Sequence, residues 1–166
     1  MQTLLLATLL AMPPVDFAKI PPENRLPARN LHSDALMQPA CTRVEAEKLR
    51  DKTVAILGAR EGRRAWSVAL TMLCGTSDQS HAFLRARMPE RVSHEVFPDE
   101  NQSTRTTLIA REEVAMVHGH AWDVTVDFDR GKLSYAYIAG GVCSGFFSLR
   151  QVDGEWLLVA SGEACD

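Results

Sequence analysis

The sequence lacks any apolar run of the ~20 residues that a membrane-spanning helix needs. Its nearest approach, Leu4 to Met12, is stopped by Pro13 and Pro14. It also lacks a basic excess: Lys plus Arg total 18 against 21 Asp plus Glu, a net charge of -3. A protein that coats nucleic acid draws its affinity from such an excess, so nucleic acid is not an expected partner. No C-x-x-C spacing links the four cysteines, which removes the usual zinc-ribbon and thioredoxin-like readings. There is no Gly-rich phosphate loop, no internal repeat and no low-complexity tract. Residues 141–145 read G-x-C-x-G, formally a cysteine nucleophile elbow. That motif needs a later histidine and a following helix, and here no histidine follows His120. What is present, 46% hydrophobic and 23% charged residues over 166 positions, fits one globular domain of ordinary size.

The Leu4–Met12 run has the length of a signal-peptide core, so residues 1–18 are read as an export signal cleaved close to Ala18. No Lys or Arg precedes the run and Asp16 stands two positions before Ala18; an N-terminal helix packed on the domain is the alternative. Cys41, Cys74, Cys143 and Cys165 make an even set, as expected of a periplasmic or secreted protein. Residues 19–40, with Pro21, Pro22, Pro27 and Pro39, read as a linker or arm, and residues 41–166 as a single α+β domain.

Thr42 and Glu45 fit a capping box that opens a helix carrying Leu49, Thr53, Ile56 and Leu57 on one stripe. A second helix carries Trp66, Ala69, Leu70 and Leu73 and stops at Cys74-Gly75. With a turn at Gly58 to Gly62 the helices run antiparallel, and Cys41 and Cys74 meet at one end. A straight helix would hold them ~50 Å apart, beyond any disulfide. The spacing therefore predicts Cys41–Cys74. A third helix begins near Ser77 or Asp78, carries Phe83 and Leu84, and ends before Pro89.

Beyond Pro89 the apolar period becomes two. The expected strands are Val92–Phe97, Thr104–Ala110, Val114–Phe128, Lys132–Ala139, Gly145–Val152 and Trp156–Ser161, with Gly-containing turns at Arg130-Gly131 and Asp153-Gly154. Helices first and antiparallel strands afterwards make an α+β plan. Pairing Phe128 with Leu133, Val126 with Tyr135 and Val124 with Tyr137 brings apolar faces together. Across the last turn, Leu149 meets Leu158 and Phe147 meets Ala160. That register sets Cys143 opposite Ala164, so a Cys143–Cys165 bond needs a bend at Gly140-Gly141 or at the C-terminus.

On an unbroken strand from Val114, the residues His118, His120 and Trp122 share the apolar face with Val124, and Tyr135 and Tyr137 follow across the hairpin. These five are the candidate ligand-pocket residues. H-x-H on a strand can present two imidazoles to a metal, but a third ligand would have to come from His94, Glu95 or Glu112, and no metal or other cofactor is expected. Two satisfied core histidines are the plainer account. Arg60, Arg63, Arg64, Arg85, Arg87 and Arg91 could form a basic rim for an anion but read first as solvated helix faces, and Asn101-Gln102-Ser103 is a glycosylation sequon relevant only in a eukaryotic secretory route.

Helices followed by a long antiparallel sheet, a "VHGHAWDVTV" strand and a closing "GFFSLRQVDGEWLLVASG" hairpin resemble the NTF2-like (cystatin-like, SnoaL-type) superfamily over residues 42–162. The likeness is carried by Leu149, Gly154, Trp156, Leu157 and Val159. It implies a curved sheet under a helical layer, with a pocket between them used by isomerases, dehydratases, accessory subunits and binding modules alike. Enzymatic members place an Asp, Tyr or His in that pocket. No such Asp carries over, because Asp123 and Asp127 fall on the opposite face of the expected strand. The first expectation is thus an exported, non-enzymatic module for a small apolar or partly polar ligand or for a protein partner, of inhibitor or immunity type. The alternative is a small isomerase, lyase or hydrolase with His118 or His120 as base and Tyr135 or Tyr137 as hydrogen-bond donor. A third reading is a structural subunit that forms a homodimer through the sheet.

Overall fold

The computed structural model describes residues 39–96, 104–139 and 143–165. The expected export signal, most of the arm, the sequon and Gly140-Gly141 lie outside the described residues. Three helices come first: α1 (Arg43–Leu57), α2 (Ala59–Cys74) and α3 (Asp78–Arg85). Six strands follow: β1 (Arg91–Val96), β2 (Arg105–Ala110), β3 (Ala121–Asp129), β4 (Lys132–Ala139), β5 (Cys143–Val152) and β6 (Glu155–Cys165). They form one curved, unclosed sheet in the order β2-β1-β6-β5-β4-β3. All neighbours are antiparallel except β1 and β6, whose parallel pairing makes the sheet mixed. The expected α+β plan of helices on a curved sheet is the one found.

The helix hairpin turns more tightly than expected. Thr42 caps α1 by accepting from the Glu45 N–H. Gly58 alone, at φ 81°, breaks the chain, and α2 starts at the next residue. Gly62 is not part of the turn but a buried helical position where α1 crosses α2. A Cβ there would come within 2.5 Å of the Val54 Cα. Glycine at 62 thus serves helix approach, not chain reversal. The hairpin brings Cys41 and Cys74 to a Cα separation of 5.6 Å, and they are disulfide-bonded.

The core fills the space between the helices and one sheet face. Leu49 and Thr53 of α1 and Ala65, Val68, Ala69, Met72 and Leu73 of α2 meet Leu133, Tyr135, Phe147, Leu149 and Leu158. Tyr135 stacks on Phe147 with ring centroids 4.9 Å apart, and its hydroxyl lies 2.7 Å from the Thr53 Oγ1.

Two bulges set the strand registers. On β3, pairing to β4 holds as expected from Phe128↔Leu133 to Thr125↔Ala136, then shifts by one residue to reach Trp122↔Ile138. The extra residue lies in the Asp123–Val124 step, where Asp123 takes φ 49°. Burial therefore falls on Ala121 and Val124, not on Trp122. On β6, Leu149↔Leu158 is followed by Ser148↔Ala160, which leaves Val159 as the inserted residue. Phe147 consequently faces Ser161, not Ala160. The same shift brings Cys143 opposite Cys165, and Cys143 is disulfide-bonded.

The long strand expected from Val114 does not form. Arg111–Glu113 is a 3-10 turn, residues 114–120 are irregular, and β3 begins at Ala121. The cause is the competing need of α2, whose last carbonyls have no partner inside the helix. The Val117 N–H donates to Met72 O at 3.2 Å and the Gly119 N–H to Leu73 O at 2.7 Å. To reach them, His118 and Gly119 both take positive φ, 53° and 83°, a turn that ends any strand.

Candidate functional site

A cavity of about 630 Å³ opens between the end of α2, the irregular segment and the sheet. The β1–β6 pairing builds one wall. His94 and Ser161 are register partners there, and the His94 Nδ1 lies 3.5 Å from the Ser161 Oγ. Gly162 and Glu163 continue that wall. Strand β4 contributes Tyr137 and Ala139, and His120 enters from the residue before β3. Met72, Ile109, Met116 and Val117 give the apolar part of the lining, and Glu113 stands beside them.

Tyr137 owes its place to a glycine on the neighbouring strand. Its register partner is Gly145, where a Cβ would sit 2.5 Å from the tyrosine ring. The ring can lie across β5 only because no side chain stands there. Tyr137 is 9% exposed and tilts against Phe147 at a centroid distance of 6.3 Å. Burial first, and then the negative charge of Glu163, push its phenol up to about 12. The group is therefore a neutral hydrogen-bond donor throughout the physiological range. Its hydroxyl has no hydrogen-bond partner among the described residues, yet it is not sealed off. The one fully buried side-chain polar atom lacking a partner among those residues is the Nε2 of His81.

The five residues singled out in the sequence separate. His120 and Tyr137 share the large cavity. Tyr135 belongs to the core, 0% exposed, its phenol raised far above the ordinary value by burial while the Thr53 bond acts the other way. Trp122 lies beside the isolated bridge that its backbone makes with Pro39. His118 is turned toward the end of α2, its Nδ1 3.0 Å from the Gly75 carbonyl, which accepts. Its ring lies 5.2 Å from that of His81, and the two share a smaller cavity of about 200 Å³ with Arg85, Met88 and Arg111. Among the described residues no three His, Cys, Asp or Glu side chains converge as a metal-ion site.

Sequence reasoning had considered His94 only as a metal ligand, and had left Ser161 and Glu163 out. All three reach the cavity through the parallel β1–β6 pair, which joins segments some 67 residues apart. Local periodicity carries no sign of such a pairing. A third concavity, of about 510 Å³, lies between Leu57, Glu61, Phe128, Arg130, Arg150 and Trp156. There the Trp156 indole N–H donates to Glu61 at 3.1 Å. That bond, helped by Arg64 and Arg60, holds the carboxyl below its ordinary range. Glu61 is thus committed to joining α2 to the β5–β6 turn, a structural task.

No family model and no curated protein matches the sequence. Solved structures align with parts of its backbone. An NTF2-like protein of unknown function from Methylobacillus flagellatus KT aligns at 11% identity and a TM-score of 0.45, over 65% of this chain and 94% of that one. An NTF-2 like protein of unknown function from Silicibacter pomeroyi DSS-3 aligns at 12% identity and 0.41, over 64% and 97%. A phenazine biosynthesis-related protein from Pseudomonas aeruginosa aligns at 11% identity and 0.33, over 80% and 85%. At these identities and TM-scores the likeness brings no family, residue role or activity to this chain.

Proposed function

We propose that this protein is an exported module that holds a small, partly polar organic ligand in the cavity shared by His94, His120, Tyr137, Ser161 and Glu163. The observation that carries the reading is Tyr137: a nearly buried, protonated phenol whose hydroxyl has no hydrogen-bond partner among the described residues, on the wall of a cavity of about 630 Å³. Its hydroxyl is open to the cavity, where a ligand can take its hydrogen bond in place of water. The volume is within the range of pockets that enclose small molecules, and a lining that sets Met72, Ile109, Met116 and Val117 beside polar side chains suits a partly polar one. Export is supported by the Cys41–Cys74 disulfide, a bond that persists in oxidising compartments. Among the described residues no helix is long and apolar enough to cross a membrane.

Native mass spectrometry of the protein isolated from its own host is the test. Retained small-molecule mass that disappears in His120→Ala, with the melting temperature nearly unchanged, supports the reading. His120→Ala that melts far lower, with no ligand retained by either form, refutes it. Intact mass from the same sample reads the export site, expected close to Ala18.

One observation favours a second reading, acid–base catalysis. His94 and His120 line the same cavity as the protonated Tyr137. An imidazole could take a proton from a substrate while the phenol donates to the developing oxyanion. Turnover in which His120→Ala and Tyr137→Phe each lower kcat without weakening binding would establish it.

A further inference from the structure

We infer that the ligand of this cavity is an organic amine: a protonated nitrogen held by Glu163 and Tyr137, on an apolar or aromatic body. The inference rests on the cavity being a ligand site, as proposed above, and adds the chemistry of what fills it.

Charge comes first. The titratable groups lining the cavity are His94, Glu113, His120, Tyr137 and Glu163, and no Lys or Arg lines it among the described residues. Two carboxylates without a fixed cation make the site unfavourable for an anion and favourable for a cation. Of the two, Glu113 is partly committed, since its Oε2 accepts the Ala110 N–H at 2.9 Å. Glu163 makes no ion pair or hydrogen bond among the described residues. It stands near enough to Tyr137 for its charge to act on the phenol.

The second observation is the phenol itself. Tyr137 is nine-tenths buried, and its hydroxyl is unpartnered among the described residues. A hydroxyl oxygen beside a free carboxylate is a pair of acceptors, and an alkylammonium group is a set of donors that matches them. A carboxylate ligand could take a hydrogen bond from the phenol only by approaching Glu163, where like charges repel. The remaining lining, Met72, Ile109, Met116 and Val117, offers apolar surface to the rest of the molecule, and methionines adapt to irregular shapes.

The experiment compares three probes with the same phenyl body, by isothermal titration calorimetry at neutral pH and low salt: 2-phenylethylamine, 2-phenylethanol and 3-phenylpropionate. The amine is expected to bind about tenfold more tightly than the alcohol, the carboxylate most weakly. Glu163→Gln, at an exposed position where folding is not at stake, should bring the amine to within about threefold of the alcohol by weakening the amine far more than the alcohol. Equal affinity for the amine and alcohol, tighter binding of the carboxylate, or an amine preference that survives Glu163→Gln overturns the amine assignment while the cavity reading stands. Failure of all three probes to bind up to millimolar concentration overturns the cavity reading as well.

Discussion

Replacing Thr53 by Val removes one hydroxyl and keeps the shape of the side chain, at a point where α1 is tied to β4. Thr53 and Tyr135 are both 0% exposed. The Thr53 hydroxyl donates to Leu49 O at 2.8 Å, so the Tyr135 hydroxyl, 2.7 Å away, must be the donor into the Thr53 oxygen. This is a two-step relay with no water around it. Thr53→Val strands the Tyr135 hydroxyl in the core, and an orphaned buried donor should cost about 2 kcal/mol. Tyr135→Phe removes the donor but leaves Thr53 its bond to Leu49, for a smaller loss of about 1 kcal/mol. With both hydroxyls gone nothing is stranded, so the double variant should cost less than the sum, by a coupling of about 1 kcal/mol or more. Urea denaturation at constant pH, with the disulfides intact, reads all four corners of the cycle. Additive losses would refute the relay. The matching control is Tyr137→Phe. Its hydroxyl has no partner to strand among the described residues, so its loss should leave stability within about 0.5 kcal/mol or raise it.

Three further outcomes follow from the same structure. Removing the Cys41–Cys74 bond, which closes a separation of 33 residues, should cost about 3–4 kcal/mol, read as a drop in urea midpoint for the paired serine variant. The tyrosine contribution to stability should be constant up to pH ~10 and fall above it. Tyr137, held up to about 12, and Tyr135, raised further still, stay protonated in the folded chain while the unfolded chain releases both protons, a loss of about 1.4 kcal/mol per pH unit for each over that window. The chain has two tyrosines, both raised, so phenolate absorbance growing gradually from pH ~10 in still-folded protein would contradict the burial of both. Gly62→Ala should lower the melting temperature by several degrees, an overpacking cost of about 1–3 kcal/mol where the new Cβ meets the Val54 backbone; an unchanged or raised melt would mean that the α1–α2 crossing is looser than it stands here.

The parts of this fold legible in the sequence are those set by local chemistry. Thr42, the Gly58 break, and the turns at Arg130-Gly131 and Asp153-Gly154 place each helix and hairpin with small errors, and the Cys41–Cys74 bond follows from helix length together with the reversal at Gly58. What escaped is where a local preference was overruled from a distance. Residues 114–120 alternate as a strand should, but the carbonyls of Met72 and Leu73 at the end of α2 were without partners. The Val117 and Gly119 N–H groups went to them in place of a neighbouring strand. That single competition decided the fate of the two histidines. His118 turned back to the Gly75 carbonyl and His120 was left at the cavity, where one continuous face had been expected to carry both. The second distant influence is the one-residue bulge at Val159. Period-two reasoning from Leu149↔Leu158 sets Cys143 opposite Ala164, where the register has it opposite Cys165, and a hairpin turn cannot reveal a bulge several residues beyond it. The residue inserted there changes what every later position of β6 faces. Because of it Ser161 lies opposite Phe147 and Glu163 opposite Gly145, the same glycine that makes room for the Tyr137 ring. The carboxylate and the phenol were brought together by a register shift, and without that shift the cavity would carry no charge beside its tyrosine.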